Sequence, residues 1–220
     1  MEKKLGTDQF AGLAAVVIAE MPRDLAPEVA QAWMEGGGRL ALRDALDRAL
    51  RQGPPPSVDP DAWVDTLDLA KIERRVFEIV VDPNLTIEQM VAASEYNYAD
   101  PNHTTAVFGA CRKVTGTKPV KAKVVAFCVG RNATRKQAIR LRSRLNLGAI
   151  CIQHELALGA QHKNAQRDLN WIVNADDEVL VHGVRVVSYL DGGPGDRDLG
   201  LYGAGLGWRA DAWFLGLLSE

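Results

Sequence analysis

Apolar residues in the first fifty positions recur with a helical period. Phe10, Leu13, Ala14, Val17, Ile18 and Met21 share one face of a helix over 7–21. Thr7 or Asp8 supplies its N-cap, and Met21-Pro22 ends it, because the residue before proline avoids the α region. A second helix begins at Ala26-Pro27, buries Val29, Ala30 and Trp33, and stops at Gly36-Gly37-Gly38. A third covers 39–51, with Leu42, Ala45, Leu46, Ala49 and Leu50 inward. These predict a small helical bundle over 1–52. The run Gly53-Pro54-Pro55-Pro56 cannot continue a helix and predicts a semi-rigid linker over 53–60.

Beyond the linker the period changes. Val76–Val81 is rich in β-branched residues and reads as a strand, followed by a turn at Asp82-Pro83-Asn84. Leu85–Ala93 reads as a short helix, with Thr86 and Gln89 at capping-box spacing. Val124–Val129 is a buried strand, and Asn132 caps a helix over 133–145 whose inward stripe is Ala138, Leu141 and Leu145. A short helix is expected over 155–161, and strands over 169–173, 179–190 (bulged at Gly183), 198–202 and 212–218. The expected fold class is α+β. A helical bundle and Pro-rich linker precede a domain over 61–220, whose α/β middle ends in an antiparallel meander.

Composition narrows the class. Hydrophobic residues make up 47% and charged residues 25% of 220, which fits a globular chain and disfavours disorder, collagen and coiled coil. No apolar run is long enough to span a membrane. No secretory signal opens the chain, and three widely spaced cysteines do not make a disulfide framework. The expected location is therefore cytoplasmic.

The net charge of −2 hides a segregation: residues 101–154 carry 11 basic side chains and no Asp or Glu. Lys118, Lys121, Lys123, Arg131, Arg135, Lys136, Arg140, Arg142 and Arg144 are the candidate polyanion-binding residues. The competing reading has the acidic segments 53–100 and 155–220 neutralise them within one fold.

Other chemistry is thinner. His154-Glu155 begins a zinc-protease pattern, but position 158 is Leu and the next histidine is His162, so the two-histidine helical face is missing. Cys111 sits beside Arg112 and Lys113, and Cys151 lies three residues before His154. Either is a candidate nucleophile, with buried structural cysteine as the alternative for these and for Cys128. The glycine-rich turns lack the lysine-serine pair of a phosphate loop. Asp176-Asp177-Glu178 matches no calcium loop and suits a solvated hairpin tip. No metal, cofactor or catalytic residue is expected. Trp171, Tyr189, Tyr202, Trp208 and Trp213 crowd the last fifty residues. Within them Tyr202, Trp208, Arg209 and Asp211 lie on a glycine-rich stretch, 202–212, that suits recognition, or else Trp208 and Trp213 are core plugs.

The order LTIEQMVAA (85–93), HELALGAQ (154–161), GVRVVSYL (183–190), RDLGLY (197–202), Trp208 and AWFLGLL (212–218) resembles a family of uncharacterised bacterial proteins frequent in uncultivated lineages. QFAGLAAVVIAEMPRDLAPEVAQAW (9–33) resembles a cap shared by related proteins. This resemblance covers most of the chain and implies no activity. A weaker likeness is to the variable proteins of diversity-generating retroelements. It implies a C-type-lectin-like C-terminus in which Arg197, Leu199, Leu201 and Phe214-Leu215 frame the displayed stretch 202–212. The expected function is thus a non-catalytic binding protein whose partner is nucleic acid or another protein, with self-association through the N-terminal helices. A variable-type recognition protein and a cysteine-dependent hydrolase are the alternatives.

Overall fold

The computed structural model describes residues 59–193 and 195–218. The helices expected over 1–52 and the linker up to residue 58 lie outside the described residues. Asp59 and Pro60, the end of the expected linker, begin the described unit.

Helix α1 (Trp63–Thr66) and a 3₁₀ turn (Leu69–Lys71) lead into β1 (Glu73–Val81). Helix α2 (Ile87–Ser94) is closed by the expected capping box: Thr86 Oγ1 accepts from Gln89 N at 3.2 Å, and Gln89 Oε1 accepts from Thr86 N at 2.8 Å. Then come β2 (Tyr98–Ala99), α3 (Thr105–Phe108), β3 (Val120–Cys128) and β4 (Ala133–Thr134). Helix α4 (Arg135–Arg144) starts at Thr134, not Asn132. Both residues are good caps, but only Thr134 stands three before a glutamine, Gln137, that completes the reciprocal bonds. Strand β5 (Leu147–Gly148) precedes α5 (Ile152–Gln161), which begins three residues before the expected start, and α6 (Ala165–Leu169).

Strands β6 (Ile172–Val181), β7 (Val184–Gly192), β8 (Arg197–Gly203), β9 (Gly207–Trp208) and β10 (Trp213–Leu218) complete the unit. The single strand expected over 179–190 is instead a hairpin. Its tip is His182-Gly183, with φ of 48° and 81°, the left-handed pair that two-residue hairpin turns require. The bulge lies elsewhere, in the register shift between Val173 and Glu178.

The main sheet runs β1-β3-β10-β6-β7-β8-β2, with β5 beside the far end of β10. Strands β6, β7 and β8 form the expected meander. The last strand does not extend it: β10 pairs antiparallel with β3 and parallel with β6, at the centre of the sheet. Alternation sends Val124 and Ala126 to one face of β3 and Val125 and Phe127 to the other. Both faces are covered. Helices α2, α3, α5 and α6 pack on the first, where Ile152, Leu156, Ile172 and Leu190 are nearly inaccessible; α1 and α4 pack on the second, around Leu141, Phe127 and Phe214. Among the described residues no helix is long and apolar enough to cross a membrane.

Candidate functional site

The bulge in β6 aims carboxylates at the N-terminus of α5. Asn174 Oδ1 accepts from the backbone N–H of Asp176 at 3.1 Å and of Asp177 at 3.3 Å, fixing the kink. Asp176 accepts from Ile150 N at 3.0 Å and pairs with Arg142; Asp177 accepts from Ile152 N. These residues are therefore neither a hairpin tip nor solvated turn carboxylates. Asp177 is only 5% exposed, and burial pushes its carboxyl up to about 6, against the lowering effect of the Ile152 N–H. A cleft of ≈ 410 Å³ opens beside it, walled by Val107, Ala110, Cys111, Arg112 and Leu180. Burial raises the Cys111 thiol to about 11, so it faces this cleft as a neutral group.

Cys151 is the N-cap of α5 and His154 its third residue. Cys151 Sγ lies 2.9 Å from His154 Nδ1, which also accepts from Cys151 N at 3.2 Å. The sulfur in turn faces the His154 N–H, so the pair closes a capping box in the geometry that Thr86/Gln89 and Thr134/Gln137 use on α2 and α4. The side chain of Cys151 is inaccessible to solvent and His154 is 8% exposed. Burial raises the thiol pKa, partly offset by backbone N–H groups of His154, Gln153 and Val114, and lowers that of the imidazole. The resting pair is a neutral thiol and a neutral imidazole.

One turn deeper, Glu155 is fully buried in the apolar cluster. Ser188 Oγ lies 2.9 Å from Glu155 Oε1 and 3.0 Å from His103 Nε2, and His103 Nδ1 lies 3.1 Å from the carbonyl of Asp100. The His103 ring stacks on Phe108 at 5.4 Å. His103, Ser188 and Asn174 were not among the sequence candidates. The available signal was the stretch Ile152–Leu158, too apolar for a surface helix yet carrying Gln153, His154 and Glu155. Among the described residues no group of three or more His, Cys, Asp or Glu is placed to hold a metal.

The structure divides the basic candidates. Arg140 pairs with Asp59 at 2.9 Å and with Asp65, Lys136 with Asp61 at 2.6 Å, Arg135 with Glu178 at 2.9 Å, and Arg142 with Asp176. The hydrogen bond from Arg140 holds the Asp59 carboxyl below its usual range, as that from Lys136 does for Asp61. Arg144 donates to the carbonyls of Val64 and Leu67, and Arg131 lies over the Trp63 ring at 4.1 Å. Helix α4 is thus committed to its own fold. Lys118 and Lys121 are exposed, as are Arg112 and Lys113; among the described residues none of the four has a carboxylate partner. Lys123 meets Glu78 at 3.4 Å, with both side chains exposed.

In the glycine-rich stretch, Trp208 is 2% exposed and packs against Tyr202 at 4.4 Å and Trp171 at 6.0 Å, as a core plug. Tyr202 is half-buried; Arg209 and Asp211 are exposed and pair with each other. Compared with known proteins, the chain matches no family model, no curated protein and no solved structure.

Proposed function

We propose that this is a non-catalytic binding protein that contacts nucleic acid through the exposed basic strip Arg112, Lys113, Lys118, Lys121 and Lys123. The observation that carries the reading is the division of an acid-free stretch. Its helical half is neutralised internally, whereas Arg112, Lys113, Lys118 and Lys121 stay exposed without carboxylate partners among the described residues, and Lys123 beside them meets only the exposed Glu78. Such a strip attracts phosphates through long-range potential and gives binding that is indifferent to sequence and steep in salt. Four or five contacts to a single strand correspond to a log–log salt slope of about −3. Fluorescence anisotropy with a random single-stranded oligonucleotide tests it. Binding at low salt that Lys118→Glu/Lys121→Glu abolishes supports the strip, and equal binding by that variant removes it. Arg140→Glu is the wrong probe, because it breaks the pairs to Asp59 and Asp65.

A cysteine-dependent hydrolase is the second reading, favoured by the 2.9 Å contact of Cys151 Sγ with His154 Nδ1. The inaccessible sulfur and the capping geometry weigh against it. A Cys151→Ser variant preserves the cap and removes the thiol, so loss of a measured hydrolysis with the fold intact would favour this reading.

A further inference from the structure

Two polar contacts meet at Ser188, whose hydroxyl carries one hydrogen. The Asp100 carbonyl can only accept, so its contact assigns a hydrogen to His103 Nδ1. Ser188 Oγ then stands between Glu155 Oε1 and His103 Nε2 and can donate to one of them alone. The other contact needs a hydrogen from Glu155 or from Nε2. With neither, the Nε2 lone pair would face the serine oxygen unbonded; with both, the serine hydrogen would have no acceptor. We infer that Glu155, Ser188 and His103 hold one shared proton, and that this proton latches the segment 100–108 against β7 and α5.

The surroundings place the proton on Glu155. Its second oxygen, Oε2, is buried and has no hydrogen-bond partner, which a neutral carbonyl tolerates far better than a carboxylate does. Burial pushes Glu155 up to about 8, opposed by the Ser188 and Asn174 side chains, and pushes His103 down to about 4. The charged and titratable groups facing the cluster are Asp177 from β6, Tyr96 from the α2–β2 connection, Asp100, and Arg197 beyond Tyr96. The chain therefore runs in one direction: Glu155 O–H to Ser188, Ser188 O–H to His103 Nε2, and His103 Nδ1–H to Asp100. Moving the Glu155 proton to Ser188 while Ser188 gives its own to Nε2 would yield a carboxylate and an imidazolium with the proton count unchanged.

The latch has a defined pH response. With reference values of 4.5 for glutamate and 6.5 for histidine, the unfolded pair also carries one proton between pH 4.5 and 6.5, on histidine. Stability from this pair is then level. Above 6.5 the unfolded pair loses its proton while the folded pair keeps it until about 8, so stability falls as pH rises through that window. Val107, in the latched segment, walls the cleft, so alkaline release also opens that wall.

The full chain tests this by hydrogen exchange at the amides of 103–108, as protection factors from pH 6 to 8.5, and by ¹⁵N shifts of the His103 ring. Wild type should lose about tenfold in protection per pH unit across 6.5–8. Glu155→Gln donates an N–H to Ser188 in place of the O–H and should be flat there. The His103 ring should be the neutral Nδ1–H form at pH 6. Equal pH dependence in wild type and Glu155→Gln would overturn the inference. Should that variant fail to fold, the wild-type ring decides: an Nε2–H tautomer, or titration near 6.5, would overturn it equally.

Discussion

The side-chain amide of Gln161 bonds both backbone groups of Val80, accepting from its N–H at 2.9 Å and donating to its carbonyl at 2.7 Å. Among the described residues strand β1 is an edge of the sheet, and a free edge is a template for pairing with another chain. Gln161 imitates the missing neighbour for one residue, and His162 Nε2 contacts the Glu78 carbonyl at 2.7 Å beside it. Gln161→Ala should cost about 1 kcal/mol and raise self-association. Denaturant unfolding and light scattering at rising concentration check the two effects separately.

Arg197 is 4% exposed and its guanidinium meets carbonyls: Ser94 at 2.7 Å, Glu95 at 3.3 Å, and Gly159. These close the C-terminal ends of α2 and α5, where helix carbonyls lack intrahelical donors. Arg197→Met fills the volume but leaves the carbonyls unpaired, and should cost about 3 kcal/mol in chemical unfolding.

Gly200 lies directly across from Tyr189 on the neighbouring strand. A Cβ at Gly200 would stand 2.4 Å from the tyrosine ring, which is itself stacked on Trp171 at 4.7 Å and 3°. Gly200→Ala should destabilise by about 1–3 kcal/mol by displacing a half-buried ring from its stack on Trp171. The loss of near-ultraviolet circular dichroism from the Trp171–Tyr189 stack reports it, and an unchanged spectrum counts against this packing.

Glu88 ties α2 to α3, accepting from Thr105 N and Thr105 Oγ1, each at 2.7 Å. Its own backbone N–H, then these two donors, hold its carboxyl down at about 2. A depressed acid stabilises the fold above its unfolded value and loses that contribution as pH falls, here between about 4.5 and 2. Acid titration of Glu88→Gln should show a weaker stability change across that window than wild type.

Local signals carried much of the fold. The Thr86–Gln89 cap, the apolar run at 124–129, of which 124–128 lies in β3, and the inward stripe of α4 are statements about neighbours a few residues apart, and the structure contains them. The failures are non-local or ambiguous. β-branched residues resume directly at Val184, so the run reads as one strand and a two-residue turn at His182-Gly183 is easily missed by period counting. Strand order depends on pairings that no window contains, which hid the central position of β10. The partners of Arg140 lie 75 and 81 residues away, so neutralisation of α4 was one of two open readings. The Glu155 cluster joins segments more than thirty residues apart, and no motif announces it.

Because β10 alone joins β3 to β6, the sheet exists as two separate halves until that strand is in place. Every other described strand precedes it in the chain, so a growing polypeptide can assemble the β1–β3 pair and the β6–β8 meander but cannot merge them. Residues Trp213 to Leu217, which pair with β3, must leave the ribosome before the two cores close. Closure of the sheet therefore waits on this one strand and is slowed by loop closure over long separations.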